Sequence, residues 1–147
     1  MRLSADLIQK SSQYMNPVDE FHIDLRNYRI QVLENLTATN DQFGCIDLSN
    51  NEIQTLNHLP QLDRLTTLML NNNKISQIQP NFQKDCHALQ NLLLTNNKIT
   101  SIHEIENLSK SGHSLVRLSL MGNLVTNMPY YRPFVISRFP SLRTLDF

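Results

Sequence analysis

The chain has 147 residues, and its 13 Lys or Arg are balanced by 13 Asp or Glu, so it carries no strong overall field of either sign. That length suits one domain with one core. Three glycines argue against a glycine-rich phosphate loop, two cysteines fall short of the disulfide caps of secreted repeat proteins, and no apolar run approaches the ~18 residues of a membrane-spanning helix.

In chain order, no signal-peptide-like apolar stretch follows Met1-Arg2-Leu3-Ser4. An intracellular protein is expected, and the sequons Asn35-Leu36-Thr37 and Asn107-Leu108-Ser109 read as accidental. Ser4 can cap a helix in which Leu7, Ile8, Ser11, Tyr14 and Met15 share a face, and Asn16-Pro17 stops it. Residues 1–16 are therefore predicted to be an N-terminal capping helix that closes the core's open end.

Residues 21–125 read as repeats. Ile23, Leu25 and Ile30 begin a degenerate first copy, with Tyr28 where later copies carry asparagine. Phe43, Ile46, Leu48, Asn51 and Ile53 form the second. Leu65, Leu68, Leu70, Asn73 and Ile75 give the pattern as L-x-x-L-x-L-x-x-N-x-I. It returns as Leu89, Leu92, Leu94, Asn97, Ile99 and as Leu115, Leu118, Leu120, Asn123, Val125. This is a leucine-rich repeat: a short strand, a turn and a return segment that cannot bury its apolar edge alone. The asparagine is expected to turn into the bend and bond backbone groups otherwise buried without partners. Positions 28, 51, 73, 97 and 123 lie 23, 22, 24 and 26 residues apart. Such spacings allow only brief helical or extended returns and a modest curve, with extra loops at 79–87 and 108–113. Residues 126–147 should hold an apolar helix and a last strand carrying Leu142, Leu145 and Phe147, whose missing outer neighbour reads as a truncated end. The expected fold is one α/β leucine-rich repeat solenoid over 1–147, of about five to six repeats, with parallel strands on the concave face.

Alternation along a strand sends the residues between the leucines outward. These are His22, Asp24, Arg26; Cys45, Asp47, Ser49; Thr67, Met69, Asn71; Asn91, Leu93, Thr95; Arg117, Ser119, Met121; and Thr144, Asp146. Met69 and Leu93, with Met121 beside them, form an apolar centre. The flanks are Asp24, Arg26, Asp47, Thr67, Asn71, Asn91, Thr95 and Arg117, a pattern suited to a partner's helix. His22 and Cys45 occupy equivalent positions, with Asp24 and Asp47 nearby, a Cys-His-Asp set on paper. An open strand face offers no evident oxyanion donors, so no catalysis is expected. The other histidines are scattered and His103-Glu104 lacks a second histidine at helical spacing, so no metal, cofactor or small-molecule substrate is expected either.

Charge is uneven along the chain. Residues 1–60 hold four Lys or Arg against eight Asp or Glu, whereas 111–147 hold Arg117, Arg132, Arg138 and Arg143 against Asp146 alone. Stacking turns this gradient into an acidic end and a basic end that could lie near phosphates. With few cations and no aromatic at the outward strand positions, direct RNA affinity should be weak.

The phrases Ser4-Ala-Asp-Leu-Ile8, Gln13-Tyr14, Asp24-Leu-Arg-Asn-Tyr-Arg-Ile30, Glu34-Asn-Leu36 and Asp41-Gln-Phe43 occur in an order that carries a resemblance. So do Ile46-Asp-Leu-Ser-Asn-Asn-Glu-Ile53, Leu94-Thr-Asn-Asn97, Val125-Thr-Asn127 and Tyr131-Arg132 with Val135-Ile136. From residue 3 to Phe147 the chain resembles the U2 small nuclear ribonucleoprotein A-prime family, departing from it at Leu124, where the family usually has proline. The resemblance implies a nuclear, non-catalytic spliceosomal subunit. Its concave face would hold the first helix of an RNA-recognition-motif protein of B-double-prime type, and the pair would bind a hairpin of U2 small nuclear RNA, reached mainly through that partner. Arg117, Arg132, Arg138 and Arg143 would lie nearest the RNA. The alternative is a regulatory subunit of an enzyme, similar to the leucine-rich repeat regulators of protein phosphatases.

Overall fold

The computed structural model describes residues 1–147. Each L-x-L tripeptide puts two side chains into the core and one outward, which limits the strand to about three residues before the asparagine turn. The strands are β1 (Ser12–Met15), β2 (Phe21–Asp24), β3 (Cys45–Asp47), β4 (Thr55–Leu56), β5 (Thr67–Met69), β6 (Gln77–Ile78), β7 (Asn91–Leu93), β8 (Arg117–Ser119) and β9 (Thr144–Leu145). Seven of them form one sheet in the order β1-β2-β3-β5-β7-β8-β9. All its pairs are parallel except β1 with β2. Strands β4 and β6 pair separately among the return segments. The repeat leucines, isoleucines, Phe43 and Val125 fill one core running from Leu3 to Leu145. No helix is long and apolar enough to cross a membrane.

The expected 1–16 helix is cut short. Ser4 does cap α1 (Ala5–Lys10), its Oγ accepting from Leu7 N at 3.2 Å. The helix stops at Lys10 because serine hydroxyls compete with helical backbone bonding. Ser11 Oγ donates to Leu7 O at 2.6 Å, and its own N–H bonds the same carbonyl. Residues 12–15 then pair antiparallel with β2, covering what would otherwise be an open sheet edge. Tyr14 and Met15, expected on the helix's apolar face, are exposed on this strand.

The asparagines do more than finish their own turns. Asn97 Nδ2 donates to Leu94 O at 3.0 Å within its repeat and to Leu70 O at 3.0 Å in the preceding one. Its Oδ1 accepts from Ile75 N, again in the preceding repeat, at 3.0 Å. Asn51, Asn73 and Asn123 repeat the arrangement, and all four are buried. Tyr28 can offer no such amide, but Asn51 serves the first repeat by accepting from Tyr28 N and Ile30 N.

A second row, not foreseen, stands one residue earlier. Asn27, Asn50, Asn72, Asn96 and Gly122 all take positive φ, from 57° to 75°. Asparagine and glycine tolerate that region best. Asn72 donates to Asn50 at 2.9 Å and Asn96 to Asn72 at 3.0 Å, forming an exposed amide ladder. At Gly122 a Cβ would stand 1.9 Å from Asn96 Oδ1 as that side chain is placed, so glycine leaves the ladder's end its room.

Return segments are brief, as expected, but Leu108 and Ser109 belong to a helix rather than a loop. Helix α2 (Ile102–Ser109) is capped by Ser101, whose Oγ accepts from His103 N at 3.1 Å. Residues 79–87 form irregular turns around the fully buried Phe82. The sequon amides are engaged structurally, Asn35 Nδ2 with Leu3 O and Asn107 Nδ2 with Ile78 O.

At the C-terminal side, helix α3 (Tyr131–Arg138) buries Tyr131 and Val135, and Phe139 follows them into the core. Phe147, expected among the last strand's apolar residues, is exposed beyond the end of β9, and Ile136 is exposed on the outer face of α3. Asp146 supplies a side-chain substitute for one backbone carbonyl of the next strand. In earlier repeats the N–H of Leu48, Leu70 or Leu94 bonds the next strand's carbonyl; Leu120 N bonds Asp146 Oδ1 instead, at 2.6 Å. Tyr131 Oη donates to the other Asp146 oxygen at 2.9 Å. Burial first, and that carboxylate second, push the Tyr131 phenol well above its ordinary range.

Leu124 opens a 3-10 turn over Leu124–Asn127, directly after Asn123 at φ −105° and ψ 143°. That extended conformation is the one a residue before proline adopts, and a turn's first N–H lacks an internal partner in any case. The side chain is 66% exposed, so nothing in the core depends on it. Leu124→Pro should raise stability by about 0.5 kcal/mol through the unfolded chain. A chemical denaturation curve checks this; a loss above about 1 kcal/mol would mean the position's φ is unsuited to proline.

Candidate functional site

A groove of about 460 Å³ opens on the concave face. Its floor is Cys45 from β3, Thr67 and Met69 from β5, Asn91 and Leu93 from β7, and Arg117 from β8. Strand register sets this out directly. Cys45, Thr67, Asn91 and Arg117 form one row, and Asp47, Met69, Leu93 and Ser119 the next. The structure thus brings five expected partner residues together: Thr67, Met69, Asn91, Leu93 and Arg117. Asn91 Nδ2 donates to Thr67 Oγ1 at 3.1 Å, fixing the polar row beside the apolar pair.

The groove also has a wall that sequence reasoning missed. Tyr14, Asn16, Pro17, Val18 and Glu20 come from the β1–β2 hairpin. Asn16 Oδ1 accepts from Val18 N at 3.0 Å and Glu20 N at 2.9 Å, and Asp19 sits at φ 62°. The signal was present: Asn-Pro-x-Asp is turn chemistry, and five such residues between two short runs can close a hairpin. The Glu20 carboxylate ties wall to floor by accepting from Thr66 Oγ1 and, at 3.4 Å, from Thr67 Oγ1. Tyr14 brings an aromatic ring to a face expected to have none; it stacks on His22 with centroids 4.6 Å apart.

The other expected partner residues lie outside the groove. Arg26 Nε and Nη2 each stand 3.0 Å from an Asp24 oxygen, and Nε is 3.6 Å from Asp47. The Arg26 bond holds the Asp24 carboxyl below its usual range, against the opposing effect of partial burial. This contribution to stability is present above the ordinary carboxylate range and is lost as pH falls through the lowered value. Asn71 Oδ1 accepts from Thr95 N at 2.9 Å, Thr95 Oγ1 lies 2.7 Å from Ser119 Oγ, and Met121 is exposed at the far edge. Five positions expected to face outward, His22, Cys45, Asp47, Ser49 and Ser119, are in fact buried. They do point to the concave side, but neighbouring side chains cover them: Tyr14 lies over His22, Met69 beside Cys45 and Arg26 against Asp47.

His22 and Cys45 are adjacent in register, as are Asp24 and Asp47. Adjacency does not activate the thiol. Burial, then the Glu20 and Asp47 carboxylates, push Cys45 up to about 12. The thiol's hydrogen-bond contact is Met69 Sδ at 4.0 Å, not the His22 ring, which faces Asn16 and Tyr14. A nucleophilic cysteine requires the opposite shift.

The four arginines are spread over separate elements. Arg117 stands on the groove floor with Nη2 2.7 Å from Phe147 O. On α3, Arg138 lies 3.8 Å from Glu106 and 4.9 Å over the Phe134 ring, while Arg132 is exposed on the same helix. Arg143 is exposed just before β9.

A family model described as leucine-rich repeat matches residues 1–147. The U2 small nuclear ribonucleoprotein A' of Arabidopsis thaliana is 47% identical over 147 residues, covering all of this chain and 59% of that protein. The human protein of the same name is 44% identical over the same 147 residues, which are 57% of it. The chain thus spans less than two thirds of the length of these relatives. Among solved structures, the crystal structure of the Drosophila melanogaster SNF/U2A' complex contains a chain that superposes with a TM-score of 0.95 at 43% identity, covering 100% of this chain and 84% of that one. A leucine-rich repeat protein of Leptospira interrogans reaches only 0.57 at 28% identity over 84% of this chain and 30% of its own, so the likeness to the Drosophila chain exceeds what shared repeats produce.

Proposed function

Because the chain belongs to the U2 small nuclear ribonucleoprotein A' family of leucine-rich repeat proteins, we propose that it is a non-catalytic scaffold of the U2 particle, acting in the nucleus in pre-mRNA splicing. Its concave face takes a helix of an RNA-recognition-motif protein of B-double-prime type, and the pair engages a hairpin of the U2 small nuclear RNA. The observation that carries this reading is the groove in which the apolar pair Met69 and Leu93 lies beside a polar row, with the hairpin as its wall. The similar Drosophila chain was solved as a complex with another protein, SNF, which supports a protein in the groove. Base readout then falls to the partner, while Arg117, Arg132, Arg138 or Arg143 contributes a few phosphate contacts.

A salt titration of hairpin binding tests the division of labour. This chain alone should bind negligibly at physiological salt, and the pair more tightly or selectively than the partner alone. Each arginine–phosphate pairing removed by substitution should lower the salt slope by about one. Tight, sequence-selective binding by this chain alone would overturn the scaffold mechanism.

A further inference from the structure

On the side of the sheet where the strands begin, away from the concave groove, a second cleft of about 300 Å³ lies between two consecutive repeats. Lys84 and His87 come from one repeat and Lys110 and His113 from the next. Both pairs are separated by 26 residues, the same offset as the register partners Asn91 and Arg117. The motif K-x-x-H is therefore presented twice, side by side, on neighbouring turns about 4.8 Å apart at the strand level.

No carboxylate lines this cleft. Asp85, the acid nearest in sequence, bonds His58 at 2.7 Å instead. Neither Lys84 nor Lys110 has an ion-pair partner, so four donor side chains face solvent without compensation in a chain that is neutral overall. Ser111, Ser114 and the buried Cys86 also line it, and beside them lies Gln83, 1% exposed. Its Oε1 is the only buried side-chain polar atom in the chain without a hydrogen-bond partner, and its Nε2 reaches Ser114 Oγ only at 3.4 Å. Buried amides are ordinarily satisfied. A half-turn about the last side-chain bond offers an N–H in place of the bare oxygen and gives up only the long Ser114 contact, because Ser114 Oγ donates to Leu89 O.

We propose that this cleft is a phosphoryl-binding site for an RNA backbone, with Lys84, His87, Lys110 and His113 as its cationic and N–H donors and Gln83 as a buried donor. The duplicated motif favours a strand over a single phosphorylated side chain, because repeated donor sets suit a ligand whose phosphates also repeat. The site is separate from the arginines and from the groove, and goes beyond the scaffold reading.

The test needs no partner protein, so its failure leaves that reading untouched. Inorganic phosphate, titrated against chloride at constant ionic strength, should move the Gln83 side-chain amide and the Ser111 and Ser114 amides in a ¹⁵N–¹H NMR spectrum. A short single-stranded RNA at low salt should move the same signals. Lys84→Glu/Lys110→Glu, both at exposed positions, should abolish the phosphate response and weaken RNA binding at least tenfold. The salt slope should fall by about 1.4, the value for two phosphates of a single strand no longer neutralised. Lys10→Glu/Lys98→Glu makes the same change of net charge elsewhere and should leave RNA binding within twofold. An unmoved Gln83 amide under phosphate, or equal weakening by the two double variants, would overturn the site.

Discussion

Asn97→Ala should lower the unfolding free energy by about 3 kcal/mol. The side chain is 5% exposed. Its loss strands Ile75 N and takes one of two amide donors from Leu70 O and from Leu94 O, which keep Asn73 and Asn123 respectively. A buried group left without its partner costs about 1–3 kcal/mol, less where water can reach it. Asn96→Gly is the internal control. That side chain is exposed and holds only the outer ladder, and glycine accepts its left-handed backbone, so the cost should be below about 1 kcal/mol. Urea denaturation of both variants decides the matter. Similar losses would mean that the inner amide is no more important than the outer one, and that its buried backbone partners find water when it is gone.

Leu93→Asp should reduce partner affinity a hundredfold or more, since a carboxylate buried at a helix contact without a partner costs about 3 kcal/mol or above. Leu93 is only partly buried and belongs to the groove floor, so the fold should survive with little change in melting temperature. Met69→Asp should abolish binding to the same degree but is less clean. Register places position 69 directly beside Asp47, and two carboxylates facing each other across strands cost up to about 1 kcal/mol. Calorimetric titration with the partner, alongside thermal melts of both variants, gives the readout. Near-normal affinity in two folded variants would show that the partner docks elsewhere.

The difference between the inner asparagines and the groove reflects how much of each is legible in the sequence. Strand positions, the core and the inner asparagines are readable because L-x-x-L-x-L-x-x-N sets them within a dozen residues, and each repeat confirms the last. Register is readable for the same reason, and with it the grouping of Met69 and Leu93. Residues 12–15 mislead because Leu7, Ile8, Ser11, Tyr14 and Met15 satisfy helical periodicity, while the pairing that makes them a strand depends on the distant edge of β2. The groove's wall is hidden with them. Burial of Cys45, His22 and Asp47 is also out of reach, because alternation gives the direction of a side chain but not what another segment lays over it. The outer asparagine row is masked by the inner one: in Asn71-Asn72-Asn73 three equal letters have three different roles, and only the backbone φ separates them.

The inner asparagines also impose an order in time. Each reaches backward, so Tyr28 N and Ile30 N obtain their acceptor only from Asn51, Ile53 N only from Asn73, Ile75 N from Asn97 and Ile99 N from Asn123. A chain leaving the ribosome N-terminus first cannot close any of these turns with the residues already made. Closure trails synthesis by one repeat throughout, and each new segment locks its predecessor.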